Sequence, residues 1–163
     1  MANLTIQGYA KVLTTNERAG HDFTHIFAFG PTNTNNFATQ TTAGDGVIFN
    51  LFTAVAGTVM VKWALVCDPA LQNSADAAFN TNAVSFGDAG SATRFLNAVQ
   101  VNANGTPTTY TYGNTAYVFT ADSLLSVLIA GQAAKKMSDL NTGKIVLMFR
   151  LMGIKALADT QQI

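Results

Sequence analysis

Between Val47 and Met152, apolar residues recur at every second position in short runs that Gly, Pro, Asn and Asp interrupt. A period of two is the signature of a strand with two distinct faces, and it excludes a chain built from amphipathic helices. In Val47–Thr53, Val47, Phe49 and Leu51 fall on one face and Ile48, Asn50 and Phe52 on the other. After a turn at Gly57, the run from Thr58 to Cys67 sets Val59, Val61, Trp63, Leu65 and Cys67 against Met60, Lys62, Ala64 and Val66. Asp68 and Pro69 close it, because Pro lacks a ladder donor and restricts the residue before it. Ala83–Phe86 and Val99–Asn102 read as short strands, while Ala92–Ala98 fits one turn of helix or a strand. Thr108–Phe119 alternates Tyr and Thr around Gly113–Asn114, as a hairpin or a bulged long strand would. Ser123–Ala130 is apolar at both spacings, and its β surroundings assign it to a strand. Ile145–Met152 has apolar residues on both faces, which predicts a buried central strand. About seven to nine strands, with turns every 8–12 residues or so, imply an antiparallel two-sheet sandwich rather than βαβ units.

The first 46 residues differ. A polar start leads to the aromatic knot HDFTHIFAFG and then to PTNTNNFATQTTAGDG. Short polar side chains that bond to nearby backbone disfavour a helix between Thr32 and Gly46. The expectation is an extended N-terminal arm over residues 1–46, with Phe23, Phe27, Phe29 and Phe37 as anchors on a neighbour, and a sandwich body over residues 47–163. The alternative for His25–Phe29 is an ordinary strand of the sandwich. On the arm reading, deletion of residues 1–46 leaves a folded body that no longer attaches.

Composition narrows the function. Of the 163 residues, 48% are hydrophobic and only 11% charged, with nine basic and nine acidic side chains and no net charge. Such a chain must fold, and it has no charge excess to hold nucleic acid or an anionic membrane. So few charges give little repulsion between molecules, which hints at assembly. The single Cys67 lies in an apolar run and reads as a buried small hydrophobe. No window is apolar enough for a membrane span, and the opening lacks the pattern of a secretion signal, so folding in a cytoplasm is expected.

Catalytic signals are weak. His21 and His25, with Asp22 and Glu17 nearby, have helical metal spacing but no third histidine and no HExxH. The Asp residues sit in turn contexts such as GDG, CDPA and FGDAG, and no GxSxG motif accompanies the serines. Neither an enzyme nor a cofactor is expected. Tyr110, Tyr112 and Tyr117 suit cross-strand packing, with a glycan-binding face as the alternative. Arg94 and Arg150 suit pairing or stacking at an interface, and a guanidinium on a doubly apolar strand needs a partner.

The order of GTVMVKWALV, AVSFGDAGSATRFLNAVQV, YVFTADSLLSVLIA and SDLNTGKIVLMFRLM resembles small virion proteins of tailed bacteriophages, over roughly Gly57–Met152. Phe86, Gly87, Asp88, Gly90, Arg94, Phe95 and Leu96 match the first motif, and Leu140, Gly143, Val146 and Phe149 the last. The resemblance implies a jelly-roll sandwich that decorates or cements the outer surface of a capsid. It further implies a homotrimer between capsomers, with the major capsid protein as partner and no direct contact with nucleic acid or membrane. A tail or head-fibre component and a lectin-like module are the alternatives.

Overall fold

The computed structural model describes residues 2–5, 25–31, 37–102 and 109–153. Nine strands occupy most of them: β1 (Ala2–Thr5), β2 (His25–Phe29), β3 (Val47–Ala54), β4 (Thr58–Cys67), β5 (Ala83–Asp88), β6 (Ser91–Gln100), β7 (Thr109–Val118), β8 (Ser123–Ile129) and β9 (Ile145–Gly153). One sheet runs β1-β3-β8-β5-β6 and the other β2-β9-β4-β7. Every pair is antiparallel except β1 with β3, which is parallel. Without β1, two four-stranded sheets remain, each collecting strands from both halves of the chain. That order is the double Greek key of a jelly roll, and the predicted two-sheet sandwich is the observed fold.

Three strands depart from simple alternation, each at a bulge. On β4, Val61 is an extra residue relative to β9, since Met60 faces Leu151 and Lys62 faces Arg150. The extra residue reverses the faces, so Met60, rather than Val61, joins Trp63, Leu65 and Cys67 in the core. On β3 the register shifts between Asn50 and Thr53, and Phe52 packs against the core although alternation places it outside. On β6 the pairing steps from Val84↔Val99 to Phe86↔Leu96, with Ala98 at φ 48°. That break explains why Ala92–Ala98 reads ambiguously: it belongs to one long strand whose period is interrupted.

Thr109–Val118 is a single strand with a register shift, not a hairpin. Gly113 makes no turn there. A Cβ on it would lie 2.6 Å from the Trp63 indole, so the glycine makes room for the ring. β9 is central, between β2 and β4, as predicted. It is fully buried on one face only: Ile145, Leu147 and Phe149 are in the core, while Val146, Met148 and Arg150 are half-buried. The sandwich covers one side of each sheet, and an apolar residue on the other side remains partly in water.

Within the arm expected over residues 1–46, the described residues 25–29 and Phe37 are corrected to parts of the body, and for His25–Phe29 the alternative of an ordinary strand of the sandwich is the one observed. β2 pairs with β9 over its whole length, and β1 pairs with β3 of its own chain. Phe27, Phe29 and Phe37 are 6%, 1% and 1% exposed, so they anchor the protein's own core and are not available to a neighbour. Phe29 and Phe37 both pack on Phe49, with centroids 4.7 and 6.2 Å away. The buried Gln40 amide, donating to Gly46 C=O at 2.7 Å, ties down the following loop. No helix forms over residues 37–46. Phe23 lies outside the described residues.

His25 packs against both Phe52 and Phe149, at 4.8 and 5.1 Å, and those two rings also meet each other at 6.0 Å. Burial there lowers its pKa from the usual 6.5. The unfolded chain therefore takes up the proton more readily than the folded one. The stability that neutral His25 contributes is complete above about pH 6.5 and is lost as the pH falls through the lowered folded value. We expect the urea midpoint to fall between pH 7 and pH 5, and His25→Phe to flatten that slope; an equal slope in the variant contradicts this assignment.

Candidate functional site

Two places gather the residues that the sequence singles out. The first is the tight turn between β5 and β6. Asp88, 3% exposed, accepts from Gly90 N–H at 3.0 Å and Ser91 N–H at 2.8 Å through Oδ1, and from Arg94 Nε at 2.8 Å through Oδ2. Three donors on one carboxylate compensate its removal from water. The bond to Asp88 holds the Arg94 pKa above its ordinary value. The Arg94 guanidinium lies 4.4 Å over the Tyr117 ring, and Phe95 meets Tyr117 and Phe119 edge-on. These residues therefore lock β6 of one sheet to β7 of the other.

Gly87 belongs to the same knot, because a Cβ there would lie 2.1 Å from Ser91 O. Gly143 does not. It sits at the opposite end of the sandwich, with φ +113° and a hypothetical Cβ 2.5 Å from Leu71 Cα. The motif residues Gly87, Asp88, Arg94 and Phe95 thus act together, and Gly143 acts separately; all serve packing geometry. Gly143→Ala combines a left-handed φ with overlap against backbone, and is expected to cost about 2–4 kcal/mol by chemical denaturation.

The second place is the outer face of the four-stranded sheet. Ladder pairing aligns Ala28, Val146 and Val66 in one row, Ile26, Met148, Ala64 and Tyr112 in the next, and Met152, Val59 and Val118 near the far end. Arg150 and Lys62 stand opposite each other between these rows. Tyr112, Val118 and Met152 are 65%, 41% and 36% exposed. Sequence reading missed this face, because the bulge at Val61 decides which residues occupy it. Tyr117, grouped by sequence with Tyr110 and Tyr112, points inward and packs as described, and Tyr112 lies on the outer face.

Other candidates are placed as follows. Cys67 is fully buried, and its thiol donates to Val101 C=O at 3.3 Å. Burial pushes its pKa up to about 11, so it is an inert core residue. His25 lies on a strand, which removes the helical spacing read for it, and Glu17, His21 and Asp22 fall outside the described residues. Among the described residues, no three His, Cys, Asp or Glu side chains are grouped to hold a metal ion.

A cleft of about 300 Å³ opens between the loop Leu71–Asn80 and Asn102. Asn73 Oδ1 accepts from Ala75 N–H and Asp76 Oδ1 from Ala78 N–H, at 2.9 and 3.0 Å. Asp76 also pairs with Lys135, whose hydrogen bond lowers the Asp76 pKa. Gln132 Oε1 accepts from Asn80 and Thr81 N–H at 2.7 and 2.9 Å.

A jelly-roll sandwich, with its β5–β6 turn held by the Asp88–Arg94 ion pair, is the class of protein that these elements define. No family model matches the sequence, and no curated protein matches it. Among solved structures, the chain is similar to one from the "Cyanophage Pam1 capsid asymmetric unit", with 21% identity, a TM-score of 0.47, and coverage of 76% of this chain and 79% of that one.

Proposed function

We propose that this protein is a structural component of a bacteriophage virion, a capsid decoration protein that binds the major capsid protein on the outer surface of the head as a homotrimer between capsomers. It performs no reaction in this reading. The observation that carries the proposal is the outer face of the four-stranded sheet, where Tyr112, Val118 and Met152 leave apolar surface in water. A chain with 11% charged residues and no net charge gains little colloidal protection for that surface, and contact with neighbouring subunits covers it. The jelly-roll order and the resemblance of Gly57–Met152 to small phage virion proteins support the same reading.

Light scattering of the purified full chain is expected to report about three times the 17.2 kDa chain mass. Val118→Asp with Met152→Asp, both at exposed positions, should weaken the trimer at least about tenfold while leaving the fold intact. Cryo-electron microscopy of phage particles carrying the chain tests its location. Density between capsomers supports the proposal, density on the tail favours a tail or fibre component, and a chain that is monomeric at high concentration and absent from particles overturns it.

A further inference from the structure

Among the described residues, the exposed large apolar side chains are Val55, Tyr112, Val118, Leu124 and Met152, and they fall into two patches of opposite charge. Tyr112, Val118 and Met152 belong to the outer face of the four-stranded sheet. The cations of that face, Lys62 and Arg150, are half-buried and stand opposite each other on β4 and β9. Like charges directly opposite on a ladder destabilise it, and no Asp or Glu occurs in any of the four strands. The Arg150 guanidinium carries five donors, so contacts within the chain leave others for an acceptor from outside. The complement of this face is a carboxylate set in apolar surface.

Val55 and Leu124 belong to such a surface. Val55, 59% exposed, occupies the turn between β3 and β4, and Leu124 pairs with Thr53 near the end of β3. Asp122, exposed and two residues before Leu124, accepts from Ala56 N–H at 2.9 Å through Oδ1. That bond fixes the carboxylate beside Val55 and engages only one of its oxygens. The salt bridges of the described residues are Asp88–Arg94 and Asp76–Lys135, so Asp122 is in neither. Arg94 borders the same tip but is held by Asp88. The other exposed acids have different surroundings: Asp68 N–H donates to Lys144 C=O and Asp139 N–H to Lys136 C=O, which sets a lysine beside each, and no exposed large apolar side chain lies in those loops.

We infer, resting on the trimer proposed above, that its subunits meet head to tail: the Val55–Asp122–Leu124 patch of one subunit docks on the Lys62–Arg150 face of the next, with Asp122 pairing to Arg150. Packing the sheet face on itself across a two-fold axis would bring two cation pairs together in apolar surroundings, which disfavours that arrangement. Two different patches that repeat around an axis close a ring instead. Both lie beside the Gly57 turn, where Gly57 N–H donates to Phe119 C=O, next to Val118, and Ala56 N–H to Asp122. One end of the sandwich therefore supplies both halves of the contact.

Sedimentation equilibrium of the full chain and its variants tests this contact. Asp122→Arg and Arg150→Glu should each weaken the trimer at least about tenfold. The double variant exchanges the two charges in every contact, and should recover association to within about threefold of the wild type. Thermal melting of each variant reports whether the fold is retained. Should either reversal fail to fold, Asp122→Asn, which keeps an acceptor for Ala56 N–H, is combined with Arg150→Gln, and their losses of affinity should be less than additive. A wild-type trimer that both single reversals leave equally tight, a double reversal no better than either alone, or additive losses in the neutral pair overturn the contact while the trimer stands. A wild-type chain that stays monomeric overturns the trimer itself, and the contact with it.

Discussion

A chain that lacks residues 1–46 is expected to fail to fold, with no cooperative thermal transition, no near-ultraviolet signature and exposed apolar surface that binds dye. The truncation removes β2, which pairs with β9 across five residues, and takes Phe27, Phe29 and Phe37 out of the core. Loss of one buried Phe side chain costs about 3–5 kcal/mol. The loss of three, together with a strand ladder, meets or exceeds the roughly 5–15 kcal/mol that stabilises an ordinary domain. Phe149 and Leu147 would also lose the cover that β2 provides. Point substitutions grade the effect: Phe29→Ala alone should lower the unfolding free energy by about 3–5 kcal/mol, read from urea denaturation. A soluble 47–163 fragment with a sharp melting transition would show that the core closes without β2, contrary to the burial of those three rings.

The second large effect is expected at Asp88. Asp88→Ala removes the acceptor for Gly90 N–H, Ser91 N–H and Arg94 Nε at once. Charge-assisted bonds are the strong ones, and breaking a buried pair leaves its other member uncompensated. The Arg94 side chain is 29% exposed, so water recovers part of its loss, and the expected cost is about 2–4 kcal/mol. Asp88→Asn retains an acceptor for the turn but not the charge facing Arg94, and should lose less. A double-mutant cycle with Arg94→Ala isolates the pair. Additive losses in that cycle would mean that Asp88 acts on the turn alone and that its pairing with Arg94 contributes no stability.

Much of the fold was legible because strand chemistry is local. Thr58–Cys67 coincides with β4, bounded by Gly57 and Pro69, and the terminators at Asp68–Pro69 act through backbone restrictions that need no partner. Faces were less legible than strands. Met60, Phe52 and the residues around Ala98 are misplaced by strict alternation, since a bulge depends on the register of the neighbouring strand and leaves no mark in the strand's own sequence. The sequence left His25–Phe29 open between an arm and a strand for a related reason. Thr- and Asn-rich surroundings made His25–Phe29 look like an arm, while the partner that buries it, β9, is more than a hundred residues away.

The candidate sites divide in the same way. Gly87, Asp88, Arg94 and Phe95 were marked by sequence as one motif, and they do meet, because a hairpin joins residues close in the chain. The outer sheet face and the Asn102 cleft were not marked, since each is assembled from distant segments.

By itself, the sequence determined that this protein is an all-β sandwich with few charges and a buried, unreactive Cys67, because period, turn residues and composition act on the chain locally. Only the tertiary structure decided which rings face inward, that β2 and Phe37 help to close the core, and where an apolar face remains. Those outcomes rest on long-range strand pairing, in which one inserted residue exchanges the two faces of a strand.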